Sequence, residues 1–227
     1  MINRQVSKQP AKPQSTQQMQ GRRPTARSER TRLEVLNAAA ECISREGFAA
    51  ASTIRIAEQA EVSWGVLQYH FGDKDGLMAA VLEYGMEQIE SRFNDLITTG
   101  IDADTLVERL RLLTNEAWQI YSSPLARAAT EVVINNRNQW RNDPDKDRYL
   151  LELNRIQINL ARRAMNCAIG DEKLAKFLTG IFLATLHGLE TSLLQYGPGH
   201  AFSKELEALV QVLAAYCNHE SDWRVSK

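Results

Sequence analysis

Nothing in the 227-residue sequence approaches the roughly 18–20 consecutive apolar residues that a membrane-spanning helix requires, and the Gln-, Lys- and Pro-rich N-terminus lacks the apolar middle of a signal peptide. These absences lead to the expectation of a cytoplasmic protein with no membrane partner. Cysteine is scarce: Cys42, Cys167 and Cys217 are odd in number and far apart, each among apolar neighbours at helical spacing. That pattern predicts buried thiols rather than a disulfide framework or a zinc site. Alternating strand patterns, internal repeats, phosphate-binding glycine loops, nucleophile–base arrangements and metal-ligand spacings are also missing. The expectation is an all-α protein that is not an enzyme and carries no metal or cofactor.

Acid is missing from one place in particular. Residues 1–28 hold Arg4, Lys8, Lys12, Arg22, Arg23 and Arg27 without a single Asp or Glu, so a chain of net charge -1 has a remainder of -1 - 6 = -7. A basic tail, residues 1–27, precedes an acidic body. Its Pro, Gln and Ser content is equally that of a disordered, solubilising segment.

What is present is helical periodicity punctuated by caps and breakers. Leu33, Leu36, Ala40 and Ile43 share a face of a first helix, about 28–46, which Gly47 stops. Ser52 or Thr53 opens a second helix that buries Ile56, Ala57 and Ala60. Ser63 caps a third, about 64–70, with Val62 and Leu67 forming a hydrophobic staple. Asp73 caps a long fourth helix that ends at Gly100. Asp102 or Asp104 opens the next, and Ser123-Pro124 starts another through Val132. After a loop at "RNDPDKD" (141–147), a helix from about Lys146 runs to Gly170-Asp171, and two more follow, about 172–196 and 203–219. The first of these two is apolar around most of its circumference, so it needs a partner on more than one side.

Two short helices joined tightly and buttressed by a longer one form a helix-turn-helix, whose second helix enters the DNA major groove. In "EVSWGVLQYHFGDKDGL" (61–77), Val66 and Leu67 hold that helix to the core. Ser63, Trp64, Gln68, Tyr69 and His70 offer hydroxyl, indole, amide, phenol and imidazole groups suited to phosphates and base edges. Gly65 lets the backbone approach closely, and Lys74 places a cation beside a helix N-terminus.

The stretch "STIRIAEQAEVSWGVLQYHFGDKDGL" (52–77) resembles the signature of the tetracycline-repressor (TetR) family. Thr53, Ile56, Ala57, Ala60, Val62, Ser63, Gly65, Leu67, Tyr69, His70, Phe71, Lys74 and Leu77 match it. The resemblance covers about residues 30–80. It implies an N-terminal three-helix DNA-binding domain (28–75) joined by a long helix to a C-terminal helical domain (76–227) for ligand binding and dimerisation. It also implies a homodimer bound to palindromic double-stranded operator DNA and released by a small-molecule effector. Thr53, Ser63, Tyr69, His70 and Lys74 would then contact phosphates, with Trp64, Gly65 and Gln68 nearest base edges.

Three positions depart from the family pattern. Glu61 replaces the usual turn glycine, so the turn must find another backbone solution or the glutamate must be exposed. Gln68 stands where tyrosine is common, which shifts one contact towards an adenine-type amide pairing. Trp64 stands where a small or basic residue is common; its ring either packs on thymine methyls or folds back over the first helix. Between Ser28 and Asp75 the charge is 5 - 8 = -3, which opposes approach to a polyanion. Arg22, Arg23 and Arg27 are therefore expected to contact DNA as an arm ahead of the first helix.

For the ligand, the sequence nominates Trp118, Tyr121, Trp140, Met165, Phe177 and His187, apolar bodies with a few polar tips. Simple core positions are the alternative reading for each, and a core histidine with Gly188 allowing close helix packing is the alternative for His187. For the dimer it nominates Phe182, Leu186, Leu189 and Leu193 with Leu206, Leu209 and Leu213, pairing the last two helices of two subunits. An activator or dual regulator would use the same DNA-binding parts. A ligand-binding interaction module without DNA binding is the reading of a different class.

Overall fold

The computed structural model describes residues 25–197 and 199–225, and the side chains of these except at 194 and 220–225. Arg22 and Arg23, with most of the expected basic tail, lie outside the described residues. The described residues form α1 (Ala26–Glu46), α2 (Thr53–Gln59), α3 (Trp64–Phe71), α4 (Lys74–Thr99), α5 (Leu106–Tyr121), α6 (Pro124–Arg141), α7 (Pro144–Ile169), α8 (Glu172–Tyr196) and α9 (Ser203–Val225). The fold is all-α. Among the described residues, no helix is long and apolar enough to cross a membrane.

Side-chain caps set most helix starts. Ser52, Ser63, Asp73, Ser123 and Asp171 each accept a backbone N–H of the following turn, satisfying a donor that the helix leaves without a partner. Three starts differ from the sequence expectation. Thr25 caps α1, so Arg27 sits in its first turn and not in a tail. Thr105, not Asp102 or Asp104, opens α5: Thr105 Oγ1 accepts Glu108 N–H at 3.2 Å and Glu108 Oε2 accepts Thr105 N–H at 3.1 Å. This reciprocal box satisfies two donors where an aspartate cap alone offers no such exchange. Asp143 caps α7 with Pro144 behind it, so the expected loop is mostly the first turn of a helix, the arrangement already used by Ser123-Pro124.

Two apolar cores divide the chain, but not at residue 75. One gathers α1, α2 and α3 with the first half of α4, and also takes Ala128, Ala129, Val132 and Trp140 from α6. The other joins the second half of α4 to α5, α7, α8 and α9. Helices α4 and α6 therefore serve both. They approach closely at Gly85, where an added Cβ would stand 2.8 Å from Ala129 Cβ and 3.2 Å from the Leu125 carbonyl oxygen. Cys42 and Cys217 are buried within these cores, whereas Cys167 is exposed on α7, because its helical neighbours Ala164 and Ala168 take the inward face instead.

The turn between α2 and α3 resolves the question of Glu61. Its φ is +54°, the one left-handed non-glycine residue among those described, and it is exposed. The turn keeps the left-handed backbone that glycine favours and finds no other solution, so it is the second alternative, exposure of the glutamate, that holds. An L-residue there costs about 1–2 kcal/mol, which glycine avoids while losing more chain entropy on folding. Glu61→Gly should therefore leave stability unchanged or raise it by up to about 1 kcal/mol, read from urea unfolding at constant m-value.

Candidate nucleic-acid interface and ligand cavity

Helix α3 is held by few contacts. Leu67 is its one buried side chain among the described residues, with Val66, His70 and Phe71 half-buried, so Trp64, Gly65, Gln68 and Tyr69 face solvent. Tyr69 is 81% exposed and Trp64 51% exposed, large apolar surfaces that a soluble helix ordinarily covers. At Gly65 an added Cβ would meet only Ser63 Oγ, at 3.9 Å. The fold itself does not require glycine there.

Beside this helix runs an open groove of about 620 Å³ whose walls come from the start of α1, the turn at Glu61 and Val62, and α3. It brings together Arg27, Ser63, Gly65, Tyr69 and His70 from the predicted DNA-contact set, with Thr25, Ser28 and Thr31 adding hydroxyls from the start of α1. Thr53, Trp64, Gln68 and Lys74 lie outside the groove. Thr53 is half-buried at the first position of α2, and Gln68 is exposed on α3. Lys74 opens α4 with its Nζ 5.1 Å from the Phe48 ring centroid. This cation–π contact fixes the ammonium beside the α4 N-terminus.

A second concavity lies inside the helical body. A cavity of about 370 Å³ is walled by Leu82, Met86 and Ile89 of α4, by α6 from Ala126 to Ile134, by α7 from Leu150 to Gln157, and by His187, Glu190 and Thr191 of α8, with Tyr121 from the end of α5. Its size falls at the lower end of the range for small-molecule pockets, and its walls are mainly apolar with a few polar groups, as such sites require. Tyr121 and His187 of the predicted ligand residues are here, their rings edge to face at 4.9 Å.

The other four predicted ligand residues are elsewhere. Trp118 packs edge-on against Phe202 at 5.6 Å, and Met165 is fully enclosed in the C-terminal core. Trp140 belongs to the N-terminal core. Phe177 is 59% exposed on the outer side of α8, stacked on Tyr216 of α9 at 5.3 Å. The predicted dimer residues also need correction: Phe182, Leu186, Leu193, Leu206, Leu209 and Leu213 are buried in the chain's own core, with Leu189 packed against it. The outward large apolar residues of these helices, among those described, are Phe177, Ile181, Val212 and Tyr216, with Tyr196 at the end of α8. Gly188 likewise faces outward, with nothing of its own chain within 4 Å of an added Cβ.

The residue that sequence reasoning missed is Glu190. It is 1% exposed, lines the cavity, and its carboxylate makes no hydrogen bond of ordinary geometry, with the Thr130 hydroxyl as a weak donor. Burial raises its carboxyl to about 7, with the Thr130 hydroxyl and Arg127 drawing it back only in part. Glu190 stands three residues after His187, one helical turn along the same face, and that spacing was the available signal. Burial also lowers the His187 imidazole, keeping it neutral near pH 7, while burial and the Glu190 charge raise the Tyr121 phenol.

Arg127 of α6 lies behind the cavity wall, 4% exposed, with Nη1 donating to the Ser44 carbonyl at 3.4 Å and Nε without a partner. Burial lowers its guanidinium, against the opposing pull of Glu190, Glu41 and Glu131. One turn further along α6, a Glu131 carboxylate oxygen accepts Phe48 N–H at 2.9 Å. The cavity wall is thus bonded to the end of α1 and the loop after it. Among the described residues no group of His, Cys, Asp and Glu is arranged to hold a metal ion.

The fold and these two sites define a helix-turn-helix protein with a ligand-sized cavity between the helices that carry that unit. Known proteins agree. The model of the bacterial regulatory proteins of the tetR family matches residues 35–81. The HTH-type transcriptional regulator UidR of Escherichia coli (strain K12) is 36% identical over 88 residues, 39% of this chain and 45% of its own length. This match spans less than half of that relative. A solved structure from Mesorhizobium loti, described as a TetR-family transcriptional regulator, superposes with a TM-score of 0.65 at 19% identity, covering 85% of this chain and 97% of that one. The transcriptional regulator FadR from Bacillus subtilis, solved in complex with stearoyl-CoA, superposes with a TM-score of 0.57 at 15% identity, covering 81% and 97%. Residues 35–81 thus carry the DNA-binding region typical of the tetR family of bacterial regulatory proteins.

Glu190 makes a pH prediction. Its folded value of about 7 lies above the ordinary 4.5, so below pH 4.5 it is neutral in both states and costs nothing. Above about pH 7 it is charged in both, and the folded state carries the full burial penalty. The instability it contributes therefore grows as pH rises between these values, with Arg127, His187 and Tyr121 the titratable or charged groups around it. Glu190→Gln should stabilise the ligand-free protein by about 2–3 kcal/mol at pH 8 and by almost nothing near pH 4, measured by urea unfolding across pH.

Proposed function

We propose that this protein is a homodimeric transcriptional repressor that leaves its palindromic operator when a small molecule fills the cavity between α4, α6, α7 and α8. The observation that carries the reading is the double membership of α4 and α6, which wall the cavity and also build the core that positions α3. A molecule that spreads these helices shifts α3 and Lys74 relative to DNA, because packed cores shift between discrete arrangements rather than deform continuously. In the bound state Tyr69, His70, Ser63, Thr53 and Lys74 meet phosphates, and Trp64, Gly65 and Gln68 face base edges.

The exposed Phe177, Ile181, Val212 and Tyr216 supply the dimer face. They place on the outer side of α8 and α9 an apolar surface that a single chain leaves in water, and two such faces about a twofold axis cover each other. An apolar helix pair of this kind is what sets two recognition helices one DNA turn apart.

Two measurements test the reading. Retardation of the intergenic DNA upstream of this protein's own gene should weaken about tenfold in Tyr69→Ala, since a hydrogen bond to a charged group contributes about 1.5–3 kcal/mol, and the 81% exposure of Tyr69 means that folding is unaffected. Equal retardation by the variant would remove Tyr69 from the interface, and no retardation by the wild type would favour an interaction module without DNA binding. Ile181→Glu should yield a folded monomer by light scattering with unchanged helicity; a dimer of undiminished mass would place the interface elsewhere.

A further inference from the structure

We propose that the effector of this cavity is a mainly apolar molecule carrying a protonated amine, and that the ammonium docks on Glu190 with Tyr121 beside it. The inference rests on the ligand-responsive reading above and adds the chemistry of the ligand.

The argument begins with charge. Of the side chains that line the cavity, Glu190 is the one that carries a formal charge; Arg127, although close, is outside the lining and engaged with the Ser44 carbonyl. A ligand entering this space therefore meets a carboxylate and no cation, which disfavours fatty acyl and phosphate-bearing molecules. Next comes donor and acceptor matching. Both oxygens of Glu190 and the hydroxyl oxygen of Tyr121 are buried and lack hydrogen bonds of ordinary geometry, the Thr130 hydroxyl being only a weak donor to Glu190. An ammonium has three N–H donors and a positive charge, so it answers these acceptors together, whereas a neutral hydroxyl has one donor and no charge.

The surroundings fit the rest of such a molecule. The Tyr121 and His187 rings meet edge to face at 4.9 Å, giving an aromatic surface of the type that cations favour. Leu82, Met86, Val133 and Leu150 provide the apolar walls for its body. The volume of about 370 Å³ accepts a compact molecule rather than a coenzyme conjugate. A carboxylate buried without a strong partner weakens the empty protein, and a cation that supplies one returns that loss as affinity.

The same contact reaches α1. Arg127 is held between the Glu190 charge and the carbonyl of Ser44, so a second cation at Glu190 weakens the attraction on one side of the guanidinium. That change is delivered to the helix that buttresses the helix-turn-helix.

Three probes with one body and different heads separate the possibilities: 4-phenylbutylamine, 4-phenylbutanol and 4-phenylbutyrate, titrated into the full-length wild type by calorimetry at pH 7. The amine should bind at least tenfold more tightly than the alcohol, and the butyrate more weakly than either. Because Glu190 is partly protonated at that pH, amine binding should release protons, read from the dependence of the heat on buffer ionisation. Glu190→Gln, checked for native helicity, should lose the amine preference and the proton release while keeping alcohol binding. Binding of the butyrate or alcohol at equal strength, failure of the wild type to bind the amine at millimolar concentration, or an unaltered preference in Glu190→Gln would each overturn the inference. DNA retardation on the same samples keeps the two readings apart: an amine that binds through Glu190 but never releases the upstream DNA supports the ligand chemistry and refutes the ligand-responsive repressor.

Discussion

Arg127 occupies the point at which the two halves of the molecule meet, and the arrangement around it depends on its charge being retained in a nearly solvent-free place. Its Nη1 reaches the Ser44 carbonyl near the C-terminal end of α1, where helix carbonyls lack partners and the helix dipole is negative. Glu41, Glu131 and Glu190 surround it without forming a close ion pair, so no single partner neutralises it. A guanidinium in that position is stabilised by the field of several groups, and a change at any of them alters the hold on α1. Glu131 strengthens the same junction by accepting the Phe48 N–H. Through α6, the wall of the cavity and the support of the DNA-binding unit are one element.

This junction explains why the cores do not divide at the end of the helix-turn-helix. A three-helix unit of about fifty residues buries too little apolar area to be comfortably stable alone. Here it borrows Ala128, Ala129, Val132 and Trp140 from α6, and the close passage of α4 at Gly85 holds the borrowed helix in register. The borrowing packs the small unit and the larger body into shared helices. By contrast the far end of the body, where Arg111 grips Glu207 through two bonds of 2.9 Å and lowers its carboxyl to about 2, ties α5 to α9 away from the cavity.

The parts legible in the sequence were those written locally. Serine and aspartate caps, glycine stops and the Ser-Pro start each act within one turn, so Ser63, Asp73, Ser123 and Gly170-Asp171 could be read from their neighbours. The spacing within residues 52–77 is likewise local, and it carried the family. Thr105 was missed because three cap-competent residues stand close together there and only Glu108 decides among them. Arg127 and Glu190 were illegible for a different reason: they lie on different helices, and their importance arises only when α6 and α8 are packed together. Leu186 and Leu209 were given to the dimer because an apolar residue on a helix announces burial without saying whether its own chain or a second one supplies the cover.

Helix α8 shows what that ambiguity conceals. Leu178, Phe182, Leu186 and Leu193 face the core, while Phe177 and Ile181 point outward, and Glu190 lies on the buried side among the apolar residues. A sequence that wanted only a stable helix would place leucine or glutamine there, since a weakly partnered buried carboxylate opposes folding. The same helix therefore combines three features: an inner stripe that closes the core, an outer apolar stripe left exposed, and one charged position at the cavity. The first two are built from apolar residues that differ only in direction. The third is a residue that weakens the empty protein, and a group that lowers stability while facing a cavity is best understood through what enters that cavity.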